Sequence, residues 1–284
     1  MLIRFIATLA LSAAFVISLP AQVSKPESKA DLGSLTFSRT HLRWPTPDSL
    51  VKDLRADDDE TRFQALALIG VSPSGDMAGT PSEVELRYAS LETDGEQQVI
   101  VAVDLGPMLF GAVAVHQKGV WQRIANFSCW CKYESGDLIG NFIHVESGPE
   151  NGSELVLRAS GGGTGVYSQD EAHFRYYRGE LHLVFSFVSH FRTCDPTAPG
   201  PYTCQVERRW FYSNNWDSVP GGVLVESRFS FSPNSEPAAE FDVRDIELSH
   251  AKVFSCKTYK WNKEKFLYTE FSAPNPCKPR PSVQ

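Results

Sequence analysis

Asp170 and His173 are the two side chains best suited to acid–base chemistry, three positions apart in the central part of the chain. A carboxylate beside an imidazole can move a proton near neutral pH, because histidine ordinarily titrates at about pH 6.5. The sequence contains no nucleophile elbow, zinc-protease helix or dinucleotide-binding motif. We therefore expect a non-catalytic protein. The alternative is an envelope hydrolase that uses Asp170 and His173, or Glu92 and Asp94, on its loops.

A glycine-rich segment, Gly161 to Gly165, precedes this pair. It lacks the Lys-Ser/Thr ending of a phosphate-binding P-loop and lies between predicted strands rather than before a helix, so a wide turn or bulge is expected. Exported β proteins use exposed rings to stack on sugars or to hold protein partners, which leaves an envelope glycan or a protein as the partner. The candidate ligand contacts are Gly163, Thr164, Tyr167, Trp210 and Trp216.

The chain has six cysteines, all of them far from the N-terminus. An even number of cysteines in an exported chain favours disulfides. Proximity along the chain predicts bonds between Cys194 and Cys204 and between Cys256 and Cys277.

Cys129 and Cys131 remain after these two pairs are formed. A bond between them closes a very small, strained ring, so mixed pairing with the other four cysteines stays open. As metal ligands they need two further partners, and no Cys-x-x-Cys pair or histidine spacing supplies them. We expect a structural disulfide role and no cofactor.

Residues 1–21 have the pattern of a secretory signal peptide: Arg4, an apolar run from Phe5 to Leu19, and then Pro20-Ala21 before polar residues. The apolar run is short for a membrane helix, so we expect cleavage after about Ala21 and no stable membrane span afterwards. A secreted or periplasmic location follows. The formal net charge of −7 is poorly suited to nucleic acid, whose phosphates reward clustered Lys and Arg.

Charge is not evenly distributed along the chain. Residues 252–280 hold seven basic residues against Glu264 and Glu270. Two interpretations are open: a solvated strand face or an anion-binding patch.

The elements that position these residues begin after a polar linker or loosely ordered arm over residues 22–43. Residues 44–71 form a predicted helical hairpin, in which Leu50, Val51 and Leu54 share one helix face and an acidic run at 57–60 opens the second helix. Residues 50–66 are similar to one HEAT-type helical repeat. Stacked helical repeats need several copies to bury a continuous core, so the single copy is expected to pack on the β region.

Residues 83–277 form the predicted β-rich domain, followed by a tail at 278–284. Alternating and apolar runs predict strands at 84–88, 99–103, 111–116 and 120–128, and a hairpin from Ala172 to Ser189 whose tip is Arg178-Gly179-Glu180. Three polar-tipped hairpins recur along the chain, with tips near residues 118, 178 and 263.

These recurring hairpins resemble the outer strands of propeller blades. Residues 91–101, Leu-Glu-Thr-Asp-Gly-Glu-Gln-Gln-Val-Ile-Val, also resemble the loop and strand of an FG-GAP-type, integrin-like blade. The resemblance implies adhesion and a calcium loop with Asp94 as ligand, although the other alternate oxygens of such a loop are missing. The expected fold is mainly β: an antiparallel propeller-like arc or β-sandwich of repeated hairpins, with a short N-terminal helical hairpin.

Overall fold

The computed structural model describes residues 29–32, 35–72, 79–91, 97–106, 108–129, 139, 142–163, 166–194, 204–214, 221–231 and 252–272. The signal-peptide segment 1–21 and the tail 278–284 lie outside these residues. The elements are, in order, β1 (Lys29–Leu32), β2 (Leu35–Trp44), α1 (Pro47–Leu54), α2 (Asp59–Leu68), β3 (Glu83–Ala89), β4 (Gln98–Asp104), β5 (Leu109–Gln117), β6 (Val120–Cys129), β7 (Ile143–Ser147), a 3₁₀ turn (Pro149–Asn151), β8 (Ser153–Gly163), β9 (Val166–Tyr177), β10 (Glu180–Cys194), β11 (Cys204–Asn214), β12 (Gly221–Phe231), β13 (Lys252–Asn262) and β14 (Leu267–Phe271).

The strands form two antiparallel sheets. The first has six strands in the order β1-β2-β6-β5-β4-β3, and the second has eight in the order β14-β13-β12-β11-β10-β9-β8-β7. Most neighbours in the sheets are also neighbours in sequence, and β5–β6, β9–β10 and β13–β14 are joined by short turns. The mainly β, antiparallel fold with two short helices is therefore confirmed. The described strands include no circle of radial blades.

The two sheets pack against each other through one apolar core. Phe37 and Phe127 of the first sheet contact Phe174 of β9, with ring centroids 4.6 and 5.8 Å from it. The same core contains Ile100, Val113, Leu155, Leu157, Ala172 and Leu181. Burying these side chains removes apolar surface from water and supplies the main stabilisation of the two-sheet body.

The helical hairpin covers the opposite face of the first sheet. Leu50 and Leu54 of α1 are fully buried and pack with Val99 and Val101 of β4. The Asp58 side chain caps α2 by accepting a hydrogen bond from the Thr61 amide, at 2.8 Å. The predicted hairpin and its packing on the β region are confirmed. Because both of its faces are covered, β4 is apolar from Val99 to Val103, as a central strand should be.

The N-terminal arm differs from the prediction of a linker over residues 22–43. Residues 29–32 and 35–44 are strands β1 and β2, and β2 pairs with β6 along its length. Leu35 and Phe37 alternate with polar residues and point into the core between the sheets. The apolar run is too short to distinguish from a linker in sequence, and its strand partner, Trp121 to Cys129, is about 80 to 95 positions away.

The second sheet curls so that its C-terminal edge crosses its own face. Strand β10 carries register shifts at Leu183/Phe185 and at Val188/His190, and such bulges bend and twist a strand. Strand β14 consequently contacts β10, and the hydroxyl of Tyr268 lies 2.8 Å from a carboxylate oxygen of Glu154 on β8. This fold creates a second interior, separate from the core between the sheets. Neither described helix has the length and hydropathy needed to cross a bilayer.

Candidate functional site

The candidate site occupies the interior of the curled second sheet. Strand β9 alternates strictly across from β8, so its even-numbered residues face the first sheet and its odd-numbered residues face the curl. Glu171, His173 and Arg175 are three successive odd-numbered residues of β9, and all three are buried. Three ionisable side chains from one strand are thus held in an interior.

His173 is the centre of this site. Its Nδ1 lies 3.0 Å from Oε2 of Glu154, and its Nε2 lies 3.1 Å from Oε1 of Glu171. The imidazole is 3% exposed and Glu154 is 3% exposed. We call Glu154, His173 and Glu171 the charged triad. With two carboxylates accepting, both ring nitrogens carry protons and the imidazole is a cation.

Further groups complete the hydrogen bonding of the triad. The Tyr268 hydroxyl donates to Oε1 of Glu154 at 2.8 Å, and Arg158 Nε donates to Oε2 of Glu171 at 2.7 Å. Each triad carboxylate therefore receives bonds on both of its oxygens. Buried charge is tolerated when paired and hydrogen-bonded in this way.

Aromatic side chains enclose the histidine. The ring centroids of Phe185, Phe187 and Phe211 lie 6.0, 6.1 and 5.5 Å from that of His173. Phe211 reaches this position over Gly222, where any Cβ would overlap the Phe211 ring. A side chain at position 222 would displace the Phe211 ring from this position, so the glycine leaves room for that ring.

The charges of the triad shift its titration. Burial opposes the positive charge of His173, but the hydrogen bonds and charges of Glu154 and Glu171 outweigh burial and raise its pKa from 6.5 to about 9. Burial also opposes ionisation of Glu171, yet His173 and Arg158 hold the pKa of Glu171 below its usual 4.5. Burial, followed by the charge of Glu154, raises the pKa of Tyr268 far above its usual range.

Arg175 is the least satisfied member of the interior. Its guanidinium carbon lies 4.7 Å above the Trp261 ring and 5.8 Å from the Phe266 centroid. Nη1 is buried without a hydrogen-bond partner among the described residues. Burial lowers the pKa of Arg175, and the charge of Glu154 opposes that shift. The aromatic stacking and the nearby carboxylate together compensate its charge.

The chemistry available to the charged triad is limited by its closure. A general acid or base must reach a substrate proton within hydrogen-bond distance, directly or through one water. Both His173 nitrogens and all four triad carboxylate oxygens are already bonded within the protein. Within the described part of the chain, no group of His, Cys, Asp and Glu has the arrangement of a metal site.

The sequence-predicted catalytic pair is separated by the strand. Asp170 lies opposite Ala159 on β8 and Val188 on β10, on the side that faces the first sheet, whereas His173 lies on the other side of β9. The spacing of three residues places the two side chains on opposite faces, so they are not in contact as a pair.

The predicted ligand contacts are only partly described. Gly163 ends β8 and pairs with Val166, and Tyr167 is exposed with its ring edge against His190, 5.4 Å between centroids. Trp210 is a residue of β11, paired through its backbone with Val225. Thr164, Trp216, Glu92 and the calcium candidate Asp94 lie outside the described residues.

The backbone register bears on one predicted disulfide. Cys194 at the end of β10 is directly opposite Cys204 at the start of β11. Directly opposed residues of antiparallel strands are close enough at Cα for a disulfide. Cys129 and Cys256 are disulfide-bonded and do not titrate as thiols. Cys131 and Cys277 lie outside the described residues, and the pairing stays a prediction.

Sequence reasoning found His173 but missed its partners. Glu171 and Arg175 are visible as alternating polar residues on the same strand face. Glu154 and Tyr268 are 114 positions apart, and only the curl of the second sheet brings them together. Comparison with known proteins adds no relative: no protein-family model, curated protein or solved structure matches the chain.

Proposed function

We propose that this chain is an exported, non-catalytic binding or structural module. Its β scaffold holds short turns and loops at the surface, where a partner can be met. The single observation that carries the proposal is the closure of the charged triad. His173 uses both of its ring nitrogens to bond Glu154 on β8 and Glu171 on its own strand rather than to contact solvent, and Glu154 in turn accepts a hydrogen bond from Tyr268 on β14.

For the scaffold, we favour the β-sandwich over the propeller-like arc. The two sheets share one apolar core, and the helical hairpin covers the free face of the first sheet. A sandwich of this kind offers loops at its two ends, which suits recognition by turns. Export is supported by the N-terminal apolar segment, and the predicted disulfides suit an oxidising compartment.

A hydrolase panel tests the non-catalytic assignment. The purified chain is incubated with ester, peptide and glycoside substrates, in parallel with Asp170→Asn and His173→Gln variants. We expect no turnover above buffer for any of the three proteins. The contrary result is turnover by the wild type that is lost in Asp170→Asn or His173→Gln but kept in His41→Gln, a control at an exposed position. That result would contradict the non-catalytic function and support the hydrolase alternative.

A thiol titration of native and denatured protein tests the redox part of the proposal. We expect no reactive thiol in either state before reduction. Six reactive thiols in the denatured, unreduced protein would refute the disulfides and weaken the exported location.

A further inference from the structure

The tips of the three recurring hairpins lie side by side at one end of the molecule. Gln117, before the β5–β6 turn, donates to the hydroxyl of Tyr176, before the β9–β10 turn, at 3.0 Å. Tyr177 stacks on Phe266 of the β13–β14 turn, with ring centroids 4.7 Å apart. The β9–β10 tip therefore lies between the other two. We call residues 118–119, 178–179 and 263–266 the hairpin-tip surface.

Two of these turns place a cation where the backbone disfavours it. Lys118 and Arg178 have φ angles of 51°, and each is followed by a glycine with positive φ. Two-residue hairpin turns of this type strongly prefer Asn or Asp before the glycine, because those residues tolerate the left-handed region. Long cationic side chains occupy both positions against that preference. Strained residues of this kind point to a role beyond folding.

The third tip repeats the pattern with an aromatic residue. Phe266 has a φ of 52°, an uncommon conformation for a bulky side chain. Its ring is held by Tyr177 and Trp261, and Arg175 lies beneath it. Lys263 beside it is 80% exposed. The strained turn thus keeps Lys263 at the surface beside the Phe266 ring.

The hairpin-tip surface is basic in a protein that is acidic as a whole. Its turn residues include four cations, Lys118, Arg178, Lys263 and Lys265, and one acid, Glu264, in a chain of formal net charge −7. Neighbouring carboxylates offset part of this charge: Glu150 lies 3.1 Å from Lys263, and Glu180 lies 3.4 Å from Arg39. The remaining excess is positive and is spread over three adjacent turns.

The aromatic residues here do not suit sugar stacking. The Tyr177 ring is already stacked on Phe266 and lies under the Arg178 guanidinium, at 4.9 Å. Recognition by this surface therefore rests on charge. Cations spaced over three adjacent turns match several carboxylates along an extended chain better than they match one small anion.

We propose that the hairpin-tip surface binds an extended acidic peptide segment of a protein partner. The inference rests on the proposed function as a binding module and names the surface and the chemistry of its partner. Lys118 and Arg178 pair with carboxylates of the segment, and Lys263 and Lys265 extend the contact along the third tip. Affinity falls as salt screens these exposed charges.

A paired substitution separates binding from folding. The double variant Lys118→Asn/Arg178→Asn removes two cations and supplies the residue that both turns prefer. Fluorescence anisotropy with a labelled oligoglutamate peptide at low salt should show about tenfold weaker binding, as expected for the loss of two exposed ion pairs. The same variant should melt about 3 °C higher, because the turn strain is relieved.

Two matched variants and a second probe complete the test. Lys118→Arg/Arg178→Lys should bind as wild type, and so should Arg43→Gln/Lys52→Gln, which removes two exposed cations elsewhere. If the Arg43/Lys52 variant loses as much peptide affinity as the Lys118/Arg178 variant, binding depends on net charge alone, and the hairpin-tip surface is not a specific site. Heparin binding without oligoglutamate binding would overturn the peptide class in favour of a sulfated glycan. No binding of either probe would overturn the inference, whereas the proposed function fails separately, through turnover on the hydrolase panel.

Discussion

Strand β9 buries two faces of opposite character. Ala172, Phe174 and Tyr176 pack into the apolar core between the sheets, while Glu171 and His173 are buried in the curl of the second sheet. Both faces exclude water to a similar degree. They differ in what replaces the water: dispersion contacts on one face and a closed set of charged hydrogen bonds on the other.

The difference predicts how each face responds to change. Apolar packing tolerates a substitution that keeps volume, since the neighbours adjust and no bond is left unmade. A buried charged network loses much more when one member is removed, because its partners stay buried without their counter-charge. The charged face therefore fixes the path of β14 across the sheet through Glu154 and Tyr268.

His173→Gln should have the largest effect. Glutamine keeps much of the volume but removes the positive charge between two buried carboxylates. We expect a loss of about 4 kcal/mol in the free energy of unfolding, measured with urea at pH 7. The control His41→Gln, at an exposed position, should lie within about 0.5 kcal/mol of wild type. Similar stability for both variants would contradict the charged triad.

The change in the free energy of unfolding with pH should be nearly as large as the effect of His173→Gln. The folded pKa of His173, about 9, exceeds its ordinary value of 6.5, so its contribution is complete below pH 6.5 and is lost as the pH rises through 9. Between pH 6.5 and pH 9, the free energy of unfolding of the wild type should fall by about 3 kcal/mol relative to that of His173→Gln. Glu171 has the opposite sign, with its contribution lost as the pH falls below 4.5. Parallel curves for the two proteins above pH 6.5 would contradict this assignment.

Tyr268→Phe tests the far end of the charged face. The change removes one hydroxyl donor to the buried Glu154 carboxylate and leaves the ring in place. A hydrogen bond to a charged group contributes about 2 kcal/mol, so we expect a loss of that size in urea unfolding. The matched variant Tyr167→Phe, on an exposed ring of the same sheet, should change stability by less than about 0.5 kcal/mol.

Phe174→Leu should have the smallest effect, on the apolar face of the same strand. Leucine fills most of the space between Phe37 and Phe127, so the expected loss is about 1 kcal/mol. The comparison within β9 fails if Phe174→Leu costs as much as His173→Gln. Urea midpoints measured side by side decide between the two outcomes.

The sequence pattern predicts the strands and hairpins well, including the apolar face of β9. Alternating and apolar runs locate β3 to β6, β9 and β10, and the polar tips near 118, 178 and 263 identify three hairpins that the structure contains. The shared helix face of Leu50, Val51 and Leu54 and the acidic run at 57–60 locate the helical hairpin. These features follow from local periodicity and turn chemistry, which a single sequence carries.

The charged face is not predictable in the same way. The alternation of Glu171, His173 and Arg175 predicts a solvent-exposed strand face, because polar residues on one face of a strand are usually exposed to water. Its burial depends on bulges in β10 and on β14 crossing the sheet, which are long-range features. The arm at 29–44 was missed for the same reason, since its strand partner β6 is remote in sequence.

The protonation of His173 is the most direct test of this account. Histidine carbon and proton shifts followed by NMR from pH 5 to 10, with the His173 signal assigned by its absence in His173→Gln, report its pKa in the folded protein. The account predicts a cation that persists beyond pH 8 with a midpoint at about 9. A midpoint near the ordinary 6.5 would show that Glu154 and Glu171 do not enclose the ring, and would contradict the closed charged triad.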